Sequence, residues 1–175
     1  MTDLKSIIQN AITPALAIID ITQSQQATVQ LLAIGLQESR FIDRRQLVGS
    51  PPKPVGPAKS FWQAELGGGM VHGVRTHAQS RDKAALLYAA RGVAPNDRAI
   101  WDAIENDDVL AAGLARLLLW TDPKRLPALG DVDGAFQLYL RTWRPGAWER
   151  GTTAQKMNLR AKWERNYYEA LKAVK

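Results

Sequence analysis

The chain has 175 residues, 46% of them apolar and 23% charged, the size and balance of one soluble domain with a real hydrophobic core. It has no cysteine, which excludes disulfides and thiol catalysis, and only two histidines, so a metal site would have to lean on carboxylates; none is expected. A net charge of +6 draws such a globule to polyanions, whether nucleic acid, anionic lipid or cell wall.

In chain order the periodicity predicts helices almost throughout. Residues 3–21 place Leu4, Ile7, Ile8, Ala11, Ala15, Ile18 and Ile19 at helical steps, with Thr13-Pro14 either starting a second helix or kinking one. Ser24 is suited to cap a helix over 25–40, apolar around most of its circumference and therefore central. Residues 42–60 break the pattern. The Gly- and Pro-rich run 49–57 is expected to be a long loop with at most a short extended piece, either a functional loop or a linker. A short helix over 58–66, ended by Gly67-Gly68-Gly69, and another over 70–77 are expected next. Ser80 then caps 81–91 and Gly92 stops it, followed by helices over 95–105, 108–120 and 133–143. Thr152 or Thr153 opens a last helix to about residue 173, which carries Lys156, Arg160, Lys162, Arg165 and Lys172. The class is mainly α, in one domain: N-terminal helices in 1–24, a core in 25–146 and a C-terminal helix in 147–175. No apolar run is long enough to span a bilayer and no signal peptide is evident at the N-terminus.

Glu38 closes the apolar helix. The negative end of that helix and the neighbours Leu36 and Phe41 both disfavour a charged carboxylate, as a general acid requires. The bland alternative is a surface Glu paired with Arg40, Arg44 or Arg45. The second carboxylate that glycoside hydrolysis usually needs would come from Asp43 or Glu65. Tyr139 and Trp143 share a helix face, a pair that ordinary core packing also explains. Of the six tryptophans some must be core and others can serve as platforms for sugar rings.

Two short pieces carry a resemblance. Ala33-Ile34-Gly35-Leu36-Gln37-Glu38-Ser39 is followed by Gly56-Pro57-Ala58-Lys59-Ser60-Phe61-Trp62-Gln63. This order resembles the lysozyme-like lytic transglycosylases, especially small phage-encoded ones, in which a Glu-Ser pair ends the catalytic helix and a Gly-x-x-Gly-Leu-Met-Gln segment follows. Ser60, Phe61 and Trp62 stand where that family has Gly, Leu and Met. The later Trp143-Arg144-Pro145-Gly146 stands where it often has Tyr-Asn-Ala-Gly, so Tyr139 can supply the hydroxyl instead. The resemblance implies a lysozyme-like fold and cleavage of peptidoglycan glycan strands with Glu38 as the single acid/base. It also implies that Ser39 holds substrate or loop, that Gln63 bonds the sugar, that Phe61 and Trp62 wall the cleft, and that Tyr139 and Trp143 line it. No cofactor, nucleic acid or membrane partner is expected. A phage or prophage enzyme without a leader would reach the wall by holin release or as a virion component alongside tail proteins. A hydrolysing muramidase, a non-enzymatic tail component of the same fold and a basic nucleic-acid binder are the competing readings, the last without any groove-reading motif. His77 and the Gly67–Gly69 run are shared with the phage pattern without an assigned role, and His77 reads best as a packed or capping histidine.

Overall fold

The computed structural model describes residues 3–144 and 146–175, at residue 147 the backbone alone; the expectation placed on Pro145 lies outside them. The class is mainly α, with one two-stranded sheet. The first helix, α1 (Leu4–Ile7), runs through a π-helical turn at Ile8–Ile12 into α2 (Thr13–Ile18). Pro14 has no N–H to donate, and the widened turn before it absorbs the missing rung. The expected alternatives at Thr13-Pro14 thus merge into one irregular helix that ends before Asp20.

Helix α3 (Gln25–Glu38) is the axis of the fold. Ser24 caps it by accepting from the Ala27 N–H, and every residue from Ala27 to Gln37 is buried. Helix α7 (Asp108–Trp120), capped by Asp107, is the second buried rod and packs against α3 and the N-terminal helices. Around them stand α4 (Val74–Thr76), α5 (Arg81–Arg91), α6 (Asp97–Ala103), α8 (Val132–Thr142), the short α9 (Ala147–Arg150) and the long α10 (Thr153–Ala173). Gly92 stops α5 in the left-handed conformation, as the sequence predicts, and of the two expected caps Thr152 opens α10, making a complete capping box with Gln155. Ser80 precedes α5 but spends its hydroxyl on the Val74 carbonyl rather than on the helix. One continuous apolar cluster joins residues from Ile7 to Ala170. None of the helices among the described residues is long and apolar enough to cross a membrane.

Two expectations are corrected. The Pro-rich run is not a long loop: β1 (Arg45–Val48) and β2 (Lys53–Lys59) form an antiparallel hairpin, with Val48 opposite Lys53 and Leu47 opposite Pro54, and an irregular step between Arg45 and Leu47. Proline is tolerated because each strand of a two-stranded ribbon has a free edge that needs no donor. Nor is the hairpin a linker. Lys59 is almost fully buried, with its ammonium on Asp102 (3.0 Å) and Glu105 (2.9 Å) and over the Trp101 ring at 3.6 Å. The Trp101 indole donates to the Pro57 carbonyl, so ribbon and α6 are tied at several points.

The second correction concerns 58–66, which is not helical. β2 runs to Lys59, and the chain then reverses so tightly that Lys59 and Ala64 exchange both backbone hydrogen bonds. Ser60 and Gln63 take positive φ values of 67° and 51° to make that reversal. Burial of Phe61 and Trp62 at its tip outweighs the local helical preference. Farther on, the expected helix over 70–77 is a π-helical turn, Gly69–Gly73, followed by α4.

Gly35 shows how closely this tip is packed. A Cβ at Gly35 would lie 2.1 Å from Cζ of Phe41, whose ring is wedged edge-on between Phe61 (5.4 Å) and Trp62 (5.7 Å). Alanine would gain up to about 1 kcal/mol of helix propensity but force out a ring with no room to move. Gly35→Ala should therefore lower stability by a net of about 1–3 kcal/mol, read from urea unfolding. An unchanged midpoint would show that the Phe41 loop is softer than this packing implies.

Candidate functional site

The last turn of α3 delivers Glu38 to the floor of a cleft of about 460 Å³. The cleft is bounded by the hairpin (Gln46, Ala58), the reversal and glycine loop (Gln63 to Met70), Leu118 of α7, and Thr142, Trp143 and Arg144 after α8. The Glu38 side chain is only 7% exposed. Its Oε1 accepts from the Tyr139 hydroxyl at 2.7 Å. Arg144 Nη2 lies 3.0 Å from Oε2, while Arg144 Nε reaches both Oε1 (3.4 Å) and the Tyr139 oxygen (3.1 Å). The arginines nearer in sequence are all engaged elsewhere: Arg40 with Asn166 and Glu169, Arg44 with Asp108, Arg45 with Glu105. The partner of Glu38 comes instead from a position 106 residues away.

Tyr139 is fully buried, stacked on Trp163 of α10 at 4.8 Å and on Phe136 at 6.2 Å. Burial, reinforced by the Glu38 charge, pushes its hydroxyl far above the ordinary range, so it stays a donor at any working pH. Partial burial lowers the Arg144 guanidinium, but Glu38 and Tyr139 outweigh that and hold it above its usual value. The C-terminal helix secures the other side. Lys162 donates to the Gln37 carbonyl at the open end of α3, and the Asn166 amide donates to the Gln37 side chain at 2.8 Å. Burial lowers the Lys162 ammonium; Glu38 opposes this, while Arg144, Arg40 and Arg165 add to it.

The expected site residues fall into three groups. Glu38, Gln63 and Trp143 line the cleft, whereas Tyr139, expected to line it, is fully buried and reaches it only through its hydroxyl bond to Glu38. Ser39 is a loop holder: its hydroxyl donates to the Phe61 carbonyl at 2.7 Å and accepts from the Phe41 N–H. Gln63 lines the cleft, but its amide nitrogen is committed to the Asp43 and Ser60 carbonyls, which leaves only its oxygen for a ligand. Phe61 and Trp62 do not wall the cleft. They are 5% and 0% exposed and form its buried underside, the Trp62 indole donating to the Leu31 carbonyl. Large apolar rings one residue from a tight reversal gain more from the core than from a wet cleft. The platform is Trp143, half-buried and anchored by its own indole N–H to the Trp62 carbonyl at 3.1 Å.

Of the two further carboxylates, Glu65 lines the cleft and is exposed, whereas Asp43 is not among the lining residues. Gly68 and Gly69 also line it, Gly69 lying so close to Leu118 that a Cβ would meet it at 3.1 Å. His77 caps, its ring nitrogen accepting from the Gln79 N–H. Asp131 caps α8 through the Gly134 N–H, as its position at a helix start predicts.

Among non-glycine residues, φ is positive at Arg40 and Phe41 (both 55°), Ser60 and Gln63 as well as at Asp20. Three of these five follow Glu38 closely in sequence or line its cleft: Arg40, Phe41 and Gln63. Backbone strain of this kind costs about 1–3 kcal/mol per residue and persists where surrounding packing over-determines it, often at functional sites.

No family model, curated protein or solved structure matches the chain.

Sequence reasoning met Arg144 only as the counterpart of a family Asn and Lys162 only as one charge of a basic helix, and passed over Asn166. The one available signal was Asn166, a polar residue set within the Trp163, Tyr167 and Ala170 stripe of an otherwise solvated helix.

Proposed function

We propose that this chain is a peptidoglycan lytic transglycosylase with a lysozyme-like fold, encoded by a phage or prophage, and that Glu38 is its single acid/base. The observation that carries the reading is the buried Glu38 carboxylate, presented at the floor of an open cleft by the end of the central helix and oriented by Tyr139. Tyr139 fixes Oε1, and Oε2, which Arg144 holds in the resting site, is the reacting oxygen. Protonated Glu38 gives its proton to the glycosidic oxygen as the C1–O bond breaks, and the leaving sugar departs with a hydroxyl. The carboxylate then takes the proton of the 6-hydroxyl as that oxygen bonds to C1, closing a 1,6-anhydro ring and restoring the acid. The attacking group is tethered to the reacting sugar, so one acid–base residue is enough. Trp143 offers a flat face to a sugar ring, and the net positive charge favours an anionic wall. Access to the wall would be through holin release or carriage on the virion beside tail proteins.

Glu65 on the cleft supports a second reading, a hydrolysing muramidase in which that carboxylate positions water. Digestion of purified peptidoglycan with product mass analysis decides between them. Anhydro-muramic ends, lighter by one water than reducing ends, are expected. Mostly reducing ends would favour the Glu65 mechanism, and well-folded protein that releases no fragments would favour a structural tail component.

A further inference from the structure

The ion pair between Glu38 and Arg144 is lopsided. Glu38 is 7% exposed and Arg144 is 46% exposed, so an incoming ligand meets the guanidinium first. Among the described residues that line the cleft Arg144 is also the sole cation, beside the acids Glu38 and Glu65. Its Nη2 and Nε are spent on Glu38 and Tyr139, while Nη1 makes no hydrogen bond among the described residues. Both Glu38 oxygens are occupied, Oε1 by Tyr139 and Arg144 and Oε2 by Arg144. Three donor contacts thus fill three of the four lone-pair sites, and the one left on Oε2 lies beside the guanidinium, a poor place for the proton that a general acid must deliver.

A guanidinium leaves one carboxylate readily only for another anion of the same geometry. Sugar hydroxyls and acetamido groups are weaker partners, because hydrogen bonds between charged groups are roughly twice as strong as those between neutral ones. Lys162 does not take this role, since it is not among the residues that line the cleft.

We propose that Arg144 is a specificity-determining residue that binds a carboxylate of the substrate glycan and, by moving onto it, frees Glu38 Oε2 to take up a proton from solvent. The inference rests on the transglycosylase reading above. The carboxylate is either the free lactyl group of a muramic ring without a stem or one on the peptide of a ring that carries it.

The experiment measures cleavage rates by the full chain on two substrates: peptidoglycan carrying its peptide stems, and glycan strands stripped of stems, whose lactyl carboxylates are free. Each is used as prepared and after carbodiimide coupling to methylamine, which neutralises its carboxylates. The parent protein is expected to cut the charged form at least 10-fold faster than the neutralised one. A preference confined to stripped strands, whose lactyl carboxyl is no longer amide-bonded to a stem, assigns the lactyl group; one confined to stem-bearing wall assigns the peptide; one shown on both means that the guanidinium takes either carboxylate. Arg144→Gln is expected to cut charged and neutral forms at equal rates, and Arg144→Lys to restore part of the preference, with circular dichroism confirming that both variants fold. Cleavage by the parent without any preference overturns this inference and leaves the transglycosylase reading standing, as does a preference unchanged in Arg144→Gln. Failure of the parent to cut any of the four preparations overturns both.

Discussion

Glu38→Gln should yield a folded protein that clears cell walls at least about 100-fold more slowly than the parent, the scale on which a removed general acid is felt. The amide keeps the volume of the carboxylate, and its oxygen can still accept from the Tyr139 hydroxyl, now 2.7 Å from Oε1. Arg144 loses its counter-charge but is nearly half exposed, so water replaces the lost partner at small cost. Stability should stay within about 1 kcal/mol of the parent, as for most substitutions that leave no buried group unpaired. Removing the whole side chain is a different perturbation. Glu38→Ala would strand the buried Tyr139 hydroxyl without its acceptor and confound activity with folding. A Glu38→Gln protein that lyses walls at the parental rate would remove Glu38 from the mechanism altogether, whatever the product.

The second large effect separates two tryptophans that sequence reasoning placed in the same cleft. Trp62→Ala should cost about 3–5 kcal/mol, enough to unfold a marginal domain. Trp62 is fully buried, packs against Phe41, and holds the Leu31 carbonyl through its indole N–H. Its loss opens a cavity under α3 and removes the indole bond to the Leu31 carbonyl. Trp143→Ala removes a half-buried ring and one hydrogen bond to the Trp62 carbonyl, so its stability cost should be clearly smaller and its effect should fall on glycan binding. Thermal unfolding and retention on insoluble wall, measured side by side, distinguish the two. If Trp62→Ala proved the milder change in unfolding, the assignment of Trp62 to the core would be wrong.

The same two residues show why local reasoning stopped where it did. In Phe61-Trp62, aromatic side chains beside a Gln in a Pro-rich context fit a cleft wall and a core plug equally well. Which one they are depends on where the reversal at Ser60 and Gln63 points, and that is decided by contacts with Leu31 and Phe41 on another element. The prolines misled in a similar way. A proline forbids the interior of a sheet, but a lone ribbon has no interior, and Lys59 with Trp101 binds that ribbon to α6 through contacts more than forty positions apart.

The long helices and several of their limits were readable in the chain because their causes are local. The apolar period of α3 and α7, the Ser24 and Thr152 caps and the Gly92 stop act over a few residues, and tertiary packing left them in place. The placement of Glu38 at the end of a buried helix follows from the same pattern. Only the tertiary structure decided what surrounds that carboxylate. Tyr139 and Arg144 reach it from more than a hundred residues away, and Lys162 and Asn166 hold the end of its helix from farther still. Charge–charge and hydrogen-bond energies fall off over a few ångströms, so these partners are chosen by the path of the chain through space and leave no periodic trace in its order.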